Sequence, residues 1–186
     1  MEDAVTLAME RQNDLTAIAQ RAWIILQAEV LKVEVKDNAL RLWTIVRAKN
    51  IGRSVAQDAT LWALVVQGEK KLDRAIEQVR ERLESADAFM SPLVPGDEKQ
   101  HWNQPSWSIA HLELTPETQR APIFIFAGVR YTVPGDPERK VTERAFSINQ
   151  GEASNPFGPH GLVNPPDGWL KLEHLAVHPA GQTRAT

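Results

Sequence analysis

The sequence predicts an α+β protein: a long antiparallel α-helical hairpin, then a small antiparallel β-sheet with a Pro/Gly-rich arm. Three observations predict it. Trp62, Val65, Leu72, Ile76, Val79, Leu83, Ala86 and Met90 recur at the three-then-four spacing that lines one face of a helix, interrupted only by Glu69. All 12 prolines lie at or after Pro92 and eight of the 10 glycines at or after Gly96, so the chain is free to be helical before that point and must turn often after it. Between two helix-compatible stretches, Asn50-Ile51-Gly52-Arg53 reads as a tight connection.

Taken in order, residues 1–13 are compatible with helix, and Asn13 or Asp14 offers a cap for a helix starting at Leu15. From there Ile18, Ala22, Ile25 or Leu26, Val30, Val33, Leu40, Trp43 and Val46 form the first apolar row. Leu31 to Lys36 alternates like a strand, and the helical period on both sides argues for continuity through it. Asn50 and Gly52 suit the left-handed conformation that ends a helix. Ser54 and Gln57 form a capping box that starts the next one. Folding the chain at this connection places Trp43 beside Trp62. Gly68-Glu69 reads as a weak spot, a polar layer or a hinge in the second helix.

Residues 1–90 therefore read as a coiled-coil-like hairpin and 91–186 as a β-rich region. In the latter, 91–105 reads as loop and Ser106 to Leu114 as strand. Pro122 to Val133 is rich in β-branched and aromatic residues and is the strongest strand signal. Pro134-Gly135 turns it back into Val141–Ile148 as a hairpin. Gly128 marks a bulge or a close approach. Residues 150–168 read as an extended arm, Trp169 to His178 as a last strand, and the tail after Pro179 as mobile.

Composition narrows the function classes. A net charge of −3, with no basic segment, disfavours bulk attraction to nucleic acid or anionic membrane. The absence of cysteine removes disulfides, thiolate metal sites and a cysteine nucleophile. The first residues lack the basic and apolar regions of a signal peptide. No run approaches the ~18–20 apolar residues of a membrane span. The expected location is the cytoplasm or an assembled particle.

No phosphate-loop, dinucleotide or nucleophile-elbow motif occurs, and no cofactor is expected. His174 and His178 have the i,i+4 spacing of a helical metal pair, with His101, His111 and His160 elsewhere. The glutamate precedes the first histidine and Pro179 follows the second, so the metalloprotease pattern is not met. Glu69, Asp73, Glu77, Glu81 and Glu84 are interleaved with lysine and arginine, as on a solvated helix face. Arg41, Arg47, Lys49 and Arg53 form a basic hairpin tip suited to phosphate.

The pattern points away from an enzyme. It suggests a non-enzymatic structural or interaction protein that oligomerises or docks into a larger assembly, as a phage-particle or secretion-type component does. Trp62, Leu72, Ile76, Val79 and Leu83 are the candidate interface, with Trp102 as an exposed anchor. The partners expected are copies of itself or a larger protein assembly. The alternatives are a metal-binding protein or metal-dependent enzyme using the C-terminal histidines, and a nucleic-acid-associated protein using the basic tip.

Overall fold

The computed structural model describes Met9 and residues 21–85, 90–113, 120–150, 162–163 and 175–185. It overturns the helical hairpin and the coiled coil: the chain is mostly β, in two antiparallel sheets. The segments expected as paired helices are three long strands, β1 (Ile24–Lys36), β2 (Ala39–Asn50) and β3 (Ala56–Gln67). Between residues 54 and 85, helix is confined to the later part of the second row, as a 3-10 turn (Glu69–Lys71) leading into α1 (Leu72–Glu84).

The reason lies in a period of two beneath the helical one. In β2, Leu40, Leu42, Thr44, Val46, Ala48 and Asn50 are all buried, while Arg41, Trp43, Arg47 and Lys49 are more exposed. The stretch is dense in Ile, Val, Trp and Thr, which fit a pleated, half-buried surface better than a helix. Picking every third or fourth apolar residue from so apolar a segment gives a helical row by sampling alone. The alternation at Leu31–Lys36 belongs to β1 after all. A bulge between Val30 and Lys32 shifts the phase, so Ile24, Leu26, Ala28 and Val30 face the core before it and Val33 and Val35 after it.

Of the two turns of this region, one falls inside the expected first helix and the other, expected to join two helices, joins two strands. Asp37 and Asn38 have φ of 53° and 56°, the pair of left-handed residues that closes a two-residue hairpin between β1 and β2. Asn50 does not end a helix but pins the β2–β3 corner. Its buried amide donates to the carbonyls of Ser54 (2.8 Å) and Leu93 (2.9 Å), and its Oδ1 accepts from the Gly52 N–H at 2.9 Å.

Further along, β4 (Ser91–Leu93) and β5 (Glu98–Asn103) occupy most of the expected 91–105 loop. The strand expected from Ser106 is β6 (Ser106–Ser108), followed by a 3-10 turn (Ile109–His111). β7 (Arg120–Ala121) precedes the expected hairpin, which is present as β8 (Ile123–Val133) and β9 (Asp136–Gln150). Within the arm region, β10 (Leu162–Val163) pairs with β7. The last strand, β11 (Leu175–Ala185), extends through the tail expected to be mobile. Apart from Met9, the helix start at residues 1–15 lies outside the described residues, as do the rest of the 150–168 arm and Trp169.

The larger sheet has the order β11-β9-β8-β3-β4; the smaller is β1-β2-β5, with β6 also on β2. Strands from before and after residue 90 pair in both: β2 with β5, and β3 with β8. The sheets stack face to face. One cluster joins Leu26, Leu42 and Val46 to Leu61, Ile125, Val129, Phe146 and Ile148. Each such buried side chain contributes about 1.5–3 kcal/mol.

α1 covers the opposite face of the larger sheet. Val79 and Leu83 pack on Phe126, with Trp62, Leu64, Leu72, Ile76 and Ala145 around them. Gly128 lies beneath the helix, where a Cβ would meet Leu83 Cδ1 at 2.7 Å and Val79 Cγ1 at 3.3 Å. Gly68 (φ 96°) is the point at which strand β3 turns into helix. The order of layers is thus small sheet, large sheet, helix.

Candidate functional site

The sequence-nominated residues fall into three groups. Trp62, Leu72, Ile76, Val79 and Leu83 do come together, inside the chain, as the seam between α1 and the larger sheet. The helix is further tied down by charge. Arg80 makes two hydrogen bonds to the Glu143 carboxylate, at 2.8 and 2.7 Å, which raise the arginine's pKa. The nearly buried Arg130 pairs with Glu84 at 3.0 Å, and Arg139 joins the same carboxylate at 3.1 Å. Part of the charged helix face therefore meets the sheet rather than water. Trp43 does not approach Trp62 as the hairpin pairing required; it stands on the outer face of the other sheet.

Trp102 is in the second group. It lies on β5 opposite Ile45 of β2, on the outer face of the small sheet, and is 62% exposed. Around it the alternation of β1, β2 and β5 presents Glu29, Arg47, Glu98 and Gln100. Arg47 reaches Glu29 at 2.7 Å and Glu98 at 3.8 Å, and Gln100 donates to Glu98 at 2.7 Å. Farther along the same face, the Lys32 ammonium lies 4.5 Å from the Trp43 ring centroid, and Glu34 sits within ion-pair range of Lys32 and Arg41. The face combines one exposed indole with closely spaced charges of both signs.

The basic tip forms the third group and is spread out. Arg41 and Lys49 are eight residues apart on β2, about 26 Å at a strand rise of ~3.3 Å. Arg41 and Arg47 each face a carboxylate, and Arg53 lies exposed in the β2–β3 turn. What looked like one helical tip is one side of a strand.

The described histidines do not gather either. His111 is exposed in its 3-10 turn and His178 is half-buried opposite Ser147, while His160 and His174 lie outside the described residues. No group of three or more His, Cys, Asp or Glu suited to a metal occurs among the described residues. His101 points inward from β5, its ring 4.5 Å from that of Trp62 and tilted by 56°. Burial lowers its pKa, partly offset by a hydrogen bond with the Ala63 backbone. Its neighbour two residues back, Lys99, gives Nζ to the Ala59 carbonyl and to Ser91 Oγ at 3.1 Å, and burial lowers its pKa too. Lys99 and His101 thus fasten β5 to the backbone of β3, where the two sheets meet. The alternation in Glu98–Asn103 was the available signal, masked by the prolines on either side.

No family model, no curated protein and no solved structure matches the chain. The class the fold defines is a β-sandwich with a helix laid over its larger sheet. No helix of the described residues is long and apolar enough to cross a membrane.

Proposed function

We propose that this protein is a non-enzymatic interaction module that self-associates through the outer face of its small sheet, with Trp102 as the anchor. The observation that supports this reading is the 62% exposure of Trp102 amid Arg47, Glu29 and Glu98. A two-fold interface sets a patch against its own copy, so it requires self-complementarity. A face carrying both arginine and glutamate within a few ångströms meets that requirement, and buried tryptophan and arginine dominate interface energies. The α1 stripe is no longer offered to a partner, because the chain covers it itself. The narrower identity of a phage-particle or secretion-type component rests on the extended arm at 150–168, most of which lies outside the described residues. Docking into a larger assembly remains the wider reading.

The test is absolute mass by light scattering across a range of concentrations, for the parent chain and for Trp102→Glu. The expected result is a defined oligomer that falls back to 20.8 kDa in the variant. A parent chain that stays at monomer mass throughout, or a variant that associates unchanged, defeats the reading.

A further inference from the structure

A second surface lies on the open side of the sandwich. Among the described residues β1 hydrogen-bonds only to β2, and β11 only to β9, so each is the edge of its sheet. A groove of about 410 Å³ runs between these edges, bounded by residues 26–29 of β1, by Arg144 and Phe146 of β9, and by β11. That volume falls in the usual range of ligand sites, ~300–1,000 Å³.

Three features of the groove bear on its occupant. Its walls include Ala28, Phe146 and Val177, which give an apolar strip. Its other arginine, Arg47, is held by Glu29 at 2.7 Å, so that pair is locally neutral. Arg144 differs. Its guanidinium lies 5.5 Å from the Phe146 ring centroid, its Nε is buried without a hydrogen-bond acceptor, and no described carboxylate lies within ion-pair distance. A partly buried guanidinium with no anion is an unfilled fork for a carboxylate.

The two edges differ as well. β11 carries Pro179, which has no N–H to donate, and its register slips between Ala180 and Arg184. β1 has neither feature at residues 26–29; its own bulge lies beyond Val30. The geometry points to β1 as an acceptor edge: an extended peptide adds to residues 26–29 as a further strand and sets its terminal carboxylate on Arg144. Backbone pairing supplies the affinity in such a mode, and the apolar strip and the arginine supply the selection. This groove adjoins the Trp102 face at Glu29 and Arg47 but is centred on Arg144, and the inference does not depend on self-association.

The probe is an N-acetylated hexapeptide of alternating valine and threonine, made with a free terminal carboxylate and, separately, as its amide. Alternation puts the valines on one side of the added strand, toward the apolar strip. Amide NMR shifts and hydrogen exchange of the full chain are followed on titration. The expected result is that the carboxylate peptide shifts and protects amides of 26–29 and binds at least tenfold tighter than the amide. Arg144→Gln should erase that difference, and Trp102→Ala should leave it intact. If Arg144→Gln does not fold, the comparison of the two peptides on the parent chain decides alone. Equal binding of the two peptides, or no shift at β1 at millimolar peptide, overturns the proposal. So does acetate alone, if it reproduces the response, because that would make the groove an anion site without strand pairing.

Discussion

The two sheets differ in how many faces they hide. Among the described residues the larger is covered on both sides, by the small sheet and by α1, and the smaller on one. The difference is written into their strands. In β8, every residue from Ile123 to Tyr131 is buried, including Gly128 and Arg130, and the alternation of a strand disappears. In β2 the alternation survives, because Trp43, Arg47 and Lys49 face outward. A strand in a middle layer reads as a plain apolar run, and one in an outer layer reads as a pattern of two. Trp102 accordingly stands on the open face of the small sheet, while the apolar stripe of the helix faces inward onto the larger one.

The strongest way to break this comparison is to uncover the larger sheet. Leu83→Ala should lower stability by about 2–5 kcal/mol in denaturant unfolding, since Leu83 is 2% exposed in the α1 seam. A loss near zero would mean that the helix does not hold the sheet. Next in size is Gly128→Val. Overpacking beneath the helix should cost about 1–3 kcal/mol, and adding Leu83→Ala to that variant should cost less than it does in the parent, because the second change makes room for the first. Strict additivity would show that the two side chains do not compete for one space.

A smaller effect should appear with pH at the junction of the sheets. His101 has a folded pKa below its unfolded value because it is buried, so the unfolded chain binds the proton more readily. Its contribution is present above the unfolded pKa, about 6.5, and is lost as pH falls from there through the folded value. For one proton the slope is at most about 1.4 kcal/mol per pH unit. His101→Gln should flatten the stability profile below about pH 6.5; an unchanged profile would remove His101 as its source. The smallest effect belongs to the uncovered face. Trp102→Ala should change the stability of the monomer by no more than about 0.5 kcal/mol, and a larger loss would show that the indole serves the fold.

How legible this was depends on the layer. The β8–β9 hairpin was readable, because Pro134-Gly135 separates two runs of β-branched and aromatic residues. β1 and β2 were readable in principle. Lys32, Glu34 and Lys36 alternate with Val33 and Val35, and Asp37-Asn38 is a hairpin turn, yet the dense apolar content also fits a helical row. The α1 stripe is legible, but the apolar row reaches back to Trp62 and so places the helix start before residue 68. Trp102 reads as a loop residue and stands exposed on a strand. Arg144 carries no signal in the sequence, because nothing local separates an arginine that points between two sheets from one in water.

By itself the sequence determined two places where the chain turns, Asn50–Arg53 and Pro134-Gly135, and which residues of Leu72–Glu84 share a helix face; the Asp37-Asn38 turn lies where a helix was expected to continue. These are local matters, governed by backbone angles and by side chains a turn apart. Only the tertiary structure decided that residues 24–67 are strands and that α1 lies on the chain's own sheet rather than on a partner. The tertiary structure also left Trp102 exposed and, among the described residues, the half-buried Arg144 without an anion. Strand pairing and the stacking of layers bring together residues as far apart as Leu61 and Val129, or Arg80 and Glu143. The free energy that chooses between two local periods comes from those distant contacts.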